Sequence, residues 1–178
     1  AELLGLDGPN MTVNTACSSS AKVFATASKS KAVIVESFGA TAIDYNTSSV
    51  NQYVAQHTAG VGFDVVYDTV GDKSLDDALV ATRLYGHVVS CAAFGTHSLA
   101  ASSLRCVTLS GVFVLLPMLS GEGRAHHGDI LREATRLVET GQFKPLLDSH
   151  TFKLADAQAA HELQESGKAL TKIVIDIA

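Results

Sequence analysis

Two hydroxyls and two ammonium groups stand side by side at Ser28, Lys29, Ser30 and Lys31. Side chains of these types at this spacing can do one thing well: donate charge-assisted hydrogen bonds to an oxyanion. Their setting sharpens the reading. Residues 22–27 (KVFATA) read as a strand, residues 29–38 as a helix stopped by Gly39, and residues 41–45 as a second short strand ending in Asp44-Tyr45. Strand, polar corner, helix and strand make the half of a dinucleotide-binding βαβ unit that holds the adenosine ribose. An NAD site puts a carboxylate at that corner to accept bonds from the ribose hydroxyls. Hydroxyls and ammonium groups suit a 2′-phosphate instead, so the expected cofactor is NADPH.

The usual opening of such a unit is not evident. A first strand should lead into a G-x-G-x-x-G/A turn whose amides meet a pyrophosphate at a helix N-terminus. Residues 1–21 contain no such turn. Gly60 and Gly62 resemble a fragment of it, but they lie between a helical and a strand-like run. They read as a helix C-cap and loop.

Composition removes several classes of function. The chain has 178 residues, a net charge of −5 and 47% hydrophobic residues, enough for one core and with nothing to attract nucleic acid. The longest apolar run, 107–119, is broken by Pro117 and falls short of the roughly 18 residues of a membrane span. The N-terminus lacks the pattern of a signal peptide. Cys17, Cys91 and Cys106 form no CxxC pair, which argues against structural zinc and for reduced thiols in a cytoplasmic setting. His126 and His127 point about 100° apart on a helix and cannot chelate one metal from one face. No metal is expected.

Further along, strand-like runs alternate with helical ones, the pattern of a parallel sheet covered by helices. Helices are expected over 48–58, 73–83, 127–140 and 155–166, and strands over 63–68, 86–92 and 172–177. Residues 106–116 (CVTLSGVFVLL) are β-prone and apolar on both faces. They read as a buried or paired strand, packed under the helix at 127–140 or against a second copy of the chain. The fold class is therefore α/β, a Rossmann-like parallel sheet with helices on both faces, its first strand and Gly-rich loop missing or replaced. Residues 1–21 stand apart from a dinucleotide-binding domain over 22–178.

Five stretches then fall into a familiar order. KVFATASKSKAVIVESFGATAIDYN, GFDVVYDTVG, LYGHVVSCAAFG, SGVFVLLPMLSGEGRAHHGDIL and GQFKPLLDSHTFKLADAQAAHELQESGKALTKIVIDI together resemble the medium-chain dehydrogenase/reductase superfamily. The branch they resemble is that of the zinc-independent quinone oxidoreductases and enoyl reductases. The resemblance implies that Ser28 and Lys31 meet the 2′-phosphate and that Tyr45 lies beside the adenosine. It implies that the turn from Asp68 to Gly71 closes over the adenosine side. Ala92 and Phe94, in the loop ending at Gly95, would lie along the nicotinamide riboside. Phe113 would border the nicotinamide, and Lys172 would precede the final strand. Each has a plainer reading. Lys31 can be a solvated helix residue, Tyr45 a sheet-edge residue and Asp68 a turn former. Phe113 can be a core or interface residue, and Cys91 a small buried hydrophobe. The resemblance also implies NADPH-dependent reduction of a quinone or enoyl C=C bond, and a homodimer that pairs residues 106–116 across a two-fold axis. The family's catalytic domain is not among these residues, and no catalytic side chain is evident.

Residues 5–21, GLDGPNMTVNTACSSSA, resemble something else: the active-site segment of β-ketoacyl synthases, GP-x-x-TVDTACSSS, with Cys17 at the nucleophile and Asn14 in place of Asp. The partner histidine motifs of that family are absent, so condensation is not expected. Both families occur in polyketide synthases. A non-catalytic nucleotide-binding or scaffold fragment of such a protein is the alternative reading.

Overall fold

A computed structural model describes the backbone of residues 11–14 and, fully, residues 22–143, 145–169 and 171–177. Those residues group into two compact units. One holds every described residue up to Val114, the other every described residue from Leu115 onward.

The first unit is built on a six-stranded sheet. Its strands are β1 (Met11–Asn14), β2 (Lys22–Ala27), β3 (Thr41–Asp44), β4 (Phe63–Asp68), β5 (Thr82–Ser90) and β6 (Thr108–Gly111), and they lie in the order β3-β2-β1-β4-β5-β6. The contacts β2–β3, β4–β5 and β5–β6 are parallel. The slot between β2 and β4, where a first Rossmann strand belongs, is filled by β1 running antiparallel to both neighbours. Chain length forces that direction. Residues 15–21 alone join β1 to β2, whereas a crossover to a parallel neighbour takes a dozen residues or more. Met11 consequently stands opposite Ala25 and Tyr67, at the carboxyl edge of the parallel strands, and Asn14 opposite Lys22 at the amino edge.

Helices follow the strands: α1 (Ala32–Ser37) behind a 3₁₀ turn at Lys29–Lys31, α2 (Val50–Thr58), α3 (Lys73–Ala81) and α4 (Ala100–Arg105). Side chains alternate across a strand, and the core shows it. Phe24, Ile43, Phe63, Val66 and Val88 join Tyr53 of α2 and Leu75, Ala78 and Leu79 of α3 in one buried cluster, with Ala101 packed beside it. Phe63, fully excluded from solvent, contributes on the order of 2–3 kcal/mol by burial alone. It packs between Phe24, at a centroid distance of 5.5 Å, and Tyr53, at 6.3 Å. Ala25 and Ala27 take the opposite parity on β2, where α1 buries Val35. On β4 Val65 and Tyr67, and on β5 His87 and Val89, are half-buried or exposed. Phe63 shares the parity of Val65 and Tyr67 but, at the start of β4 before the register jump, is buried in the cluster with Val66.

Several expected elements shift. Strand β5 begins at Thr82, because Thr82 already pairs with Phe63; the register then jumps, and pairing resumes at Val65 with His87. Only residues 108–111 of the expected strand 106–116 pair, and residues 115–120 form a helix, α5. Helix α4 and strand β7 (Leu147–Lys153) were not expected. The ends Ala59, with φ 53°, and Gly60 and Gly62, with positive φ, do close α2 as a helix cap and loop.

The second unit contains α5 (Leu115–Ser120), α6 (Arg124–Glu139), α7 (Ala157–Glu165) and a two-stranded parallel sheet of β7 and β8 (Lys172–Asp176). Helix α7 packs on both strands. Among the described residues no helix is long and apolar enough to cross a membrane.

The jump in β5 leaves Tyr85 in the left-handed region at φ 58°, with its side chain two-thirds exposed. That conformation costs a residue with a Cβ about 1–2 kcal/mol, and glycine returns part of it as unfolded-state entropy. Tyr85→Gly is expected to raise stability by about 0.5–1 kcal/mol, read as a rise in Tm of roughly 1–3 °C. A lower Tm would show that the exposed ring contributes more than the strain costs.

Candidate functional site

Asp68 ends β4 and is wholly buried. Its carboxylate accepts from the Val70 amide at 3.2 Å and from the Gly71 amide at 3.1 Å to each oxygen. The Ser90 hydroxyl, at the end of β5, donates to the same carboxylate at 2.6 Å and accepts from the Ala92 amide at 3.1 Å. The Cys91 amide meets the Asp68 carbonyl at 3.1 Å. One carboxylate thus ties the turn after β4 to the loop after β5. Hydrogen bonds to a charged acceptor contribute about 1.5–3 kcal/mol each, and burial makes each of them costly to lose. Gly71 completes the knot. Its φ is +80°, and a Cβ there would lie 2.3 Å from the Ala92 carbonyl oxygen, so no larger residue fits.

Beside this knot, at the carboxyl ends of β2, β3 and β4, lies a cavity of about 770 Å³. Its walls are Thr26 from β2, Tyr45 to Ser49 from the turn after β3, Val50 and Tyr53 from α2, Val70, and Lys73, Ser74 and Asp77 from α3. The turn is shaped by Asp44, whose carboxylate takes the Asn46 amide at 2.9 Å and whose carbonyl takes the Thr47 and Ser48 amides. The amide and hydroxyl of Ser49 both bond Gln52 Oε1 at 2.8 Å and fix the start of α2. Asp77, the acid in the wall, is paired with Lys73 at 2.7 Å. The lining is therefore hydroxyl, amide and aromatic, with its one carboxylate matched by an ammonium.

The expected site residues distribute as follows. Ser28 caps the 3₁₀ turn, its hydroxyl 3.0 Å from that of Ser30, and its carbonyl accepts the Lys31 amide at 2.9 Å. Ser28 and Lys31 therefore share one tight corner just beyond Thr26. Tyr45 lines the cavity and is 46% exposed, too open for a residue that merely seals a sheet edge. Asp68, Gly71 and Ala92 meet in the knot. Phe94 and Phe113 meet edge to face, centroids 4.9 Å apart, and both are largely exposed, so Phe113 is not a core residue. Cys91 is half-buried and hydrogen-bonds Tyr67, whose phenol is pushed up by burial first and by Cys91 second. Lys172 belongs to the second unit, where it opens β8 opposite Leu147. Cys17 and the rest of residues 15–21 lie outside the described residues. Among the described residues no group of three or more His, Cys, Asp or Glu could hold a metal.

Sequence reasoning missed most of the cavity wall: Thr26, Asn46 to Ser49, Tyr53, Lys73, Ser74 and Asp77. A signal was present in Asn46-Thr47-Ser48-Ser49, four small polar residues between a strand and a helix, which mark a turn with donors to spare. For Tyr53 none was available, because its spacing on α2 is that of any core residue.

This knot and cavity sit in a chain whose residues 38–175 match the zinc-binding dehydrogenase family. The chain belongs to that family. Residues 1–32 match the N-terminal domain of β-ketoacyl synthases. A probable zinc-binding oxidoreductase, mitochondrial, from Arthroderma benhamiae is 31% identical over 144 residues, 80% of this chain and 40% of the relative. A 2-haloacrylate reductase from a Burkholderia species is 31% identical over 139 residues, 75% of this chain and 40% of the relative. Among solved structures, an alcohol dehydrogenase superfamily protein from Novosphingobium aromaticivorans is 47% identical with a TM-score of 0.77, over 80% of this chain and 43% of that one. The chain thus spans well under half the length of these oxidoreductases. The fold is Rossmann-like and α/β, as expected.

Tyr53 offers a direct probe of the cavity. Burial, and then the charge of Asp77, push its phenol up from 10 to about 12. A folded pKa above the unfolded one means that its contribution to stability is complete below pH 10 and is lost as pH rises through 12. Thermal melts are expected to show stability falling between pH 10 and pH 12, with Tyr53→Phe removing that part of the fall. An identical alkaline profile in the variant would place the titration elsewhere.

Proposed function

We propose that this chain is the cofactor-binding part of an NADPH-dependent reductase acting on a quinone or an enoyl C=C bond. The observation that carries the reading is the cavity at the carboxyl edge of the sheet, whose wall includes Thr26, two residues before the Ser28–Lys31 corner. Open α/β sheets bind ligands at that edge, and about 770 Å³ is in the range of small-molecule sites. The residues suit an adenosine phosphate. Val50, Val70 and the rings of Tyr45 and Tyr53 offer apolar surface to a base, and Thr47, Ser48, Ser49 and Asn46 offer polar groups to a ribose. Ser28 and Lys31 would hold the 2′-phosphate. Gly71 and Ala92 would line the path toward the nicotinamide riboside, with Phe94 and Phe113 at its far end and Lys172 assigned by resemblance. The cofactor, when bound, supplies the hydride. The chain's own part is to bind it, orient it and keep water from it. The 2-haloacrylate reductase among the relatives supports reduction of an activated C=C bond.

A second reading, a non-catalytic nucleotide-binding or scaffold fragment of a polyketide synthase-type protein, is favoured by the β-ketoacyl synthase match at residues 1–32. It differs in one observable: cofactor binding without turnover of any enone or quinone.

The chain also fits a homodimer. Strand β6 is the edge of the sheet, all four of its residues are exposed, and the exposed apolar Val112, Phe113 and Val114 follow it. An uncovered edge of that kind invites pairing.

Calorimetry is expected to show NADPH bound at least tenfold more tightly than NADH, with Lys31→Ala removing most of the difference; loss of one charge-assisted bond is about 1.5–3 kcal/mol. Equal affinity for the two cofactors in the unaltered chain would reject the 2′-phosphate assignment. Light scattering is expected to give a dimer that Val112→Lys converts to a monomer. A monomeric unaltered chain would reject the dimer, and an unchanged dimer in the variant would move the interface.

A further inference from the structure

His97 lies two residues beyond Gly95, in the segment that joins β5 to α4. It has no part in the cofactor reading above, yet it is the most constrained histidine among the described residues. Its side chain is only 9% exposed, and its Nδ1 lies 2.9 Å from Asp76 Oδ1 on α3. Its Nε2 is buried and meets no partner among the described residues.

A carboxylate only accepts, so the bond to Asp76 has Nδ1–H as its donor. The ring is hemmed in from the loop as well. A Cβ at Gly95 would lie 3.0 Å from His97 Nε2 and 3.2 Å from Asp72 Oδ1, so Gly95 passes directly against the imidazole. Asp72 precedes α3 with a φ of 47° and ψ of −131°, a conformation that persists only where the surroundings enforce it. Its carbonyl takes the amides of Leu75 and Asp76. Imidazole, loop glycine and the first turn of α3 therefore form one block. That same turn carries Lys73, Ser74 and Asp77, which line the cavity.

We propose that His97 is a positioning residue. Through Asp76 it holds the loop Ala92–Gly95 against α3, setting the nicotinamide-side loop at a fixed distance from the adenosine-side cavity. It touches neither cofactor nor substrate. Asp68, through the Ser90 hydroxyl, already ties the near end of that loop at Ala92; His97 ties the far end, so the segment between is held at both ends. This role rests on the dinucleotide reading of the cavity.

The test separates the two. Adenosine 2′,5′-bisphosphate occupies only the adenosine side, whereas NADPH needs both. In calorimetry on the chain, His97→Leu is expected to leave the bisphosphate affinity within about twofold and weaken NADPH about tenfold, roughly 1.4 kcal/mol. His97→Asn, whose side-chain N–H stands in for Nδ1–H, is expected to recover most of the loss. Gly95→Ala, which presses on the imidazole, is expected to behave like His97→Leu. In the chain without ligand, amide hydrogen exchange over residues 92–97 is expected to speed up about tenfold in His97→Leu, with β4 unchanged. Equal weakening of both ligands, or unchanged exchange at residues 92–97, would overturn the proposal. An unaltered chain that binds neither compound would remove the dinucleotide reading. If the exchange result held in that case, it would show the failure to lie in the cofactor assignment and not in the loop.

Discussion

Everything at the carboxyl edge of this sheet hangs on the carboxylate of Asp68. Parallel strands end in water unless something gathers their ends, and the groups that would otherwise stay unpaired there are backbone amides. Asp68 takes those of Val70 and Gly71 and recruits the hydroxyl of Ser90, which in turn takes Ala92. Its four contacts span two strands and two turns. A neutral residue of the same size could accept fewer bonds, and a smaller one would leave several buried donors with no acceptor. The close pass of Gly71 under the Ala92 carbonyl follows from this arrangement and explains why a side chain is excluded there.

The charges around the cavity show a similar economy. Asp77 faces Lys73 one helical turn away, the favourable order for an acid and a base on α3 being reversed but the contact still close. Such a pair on a surface contributes little to stability. Its effect here is on the field inside the cavity, where an unmatched acid would repel a phosphate-bearing ligand. Asp44, outside the wall, accepts from the Asn46 amide and side chain and so shapes the turn that lines it.

Much of this was legible in the sequence, and the limits are physical. Strands β2 to β4 and helices α2 and α3 carry clear periodicity because each buries one face in the cluster around Phe63. Strand β7 could not be read, since it pairs with only one partner and its burial pattern lacks alternation. The stretch 106–116 misled because apolar composition marks both a strand and a helix; Pro117, which favours the first turn of a helix, marks where the second begins. Ser28 and Lys31 stood out from local order, and Tyr45 from the family resemblance. The knot around Asp68 did not, because Ser90 is distant in sequence and only the register of β4 against β5 brings it close. His97 gave no signal at all: its partner, Asp76, is 21 residues away on another element.

The reversed direction of β1 bears on how tolerant such a sheet is to rearranged genes. A vacant place between two strands presents rows of amides and carbonyls, and those rows carry no record of polarity. Four residues with a β-compatible backbone satisfy them whichever way they run. What does record polarity is the helix that a forward strand hands on to, and residues 15–21 are too few to supply one. Recombination within a central strand can therefore preserve the hydrogen-bond ladder of a nucleotide-binding sheet while erasing its forward handover, so that a shuffled protein keeps its architecture and loses a binding element without unfolding.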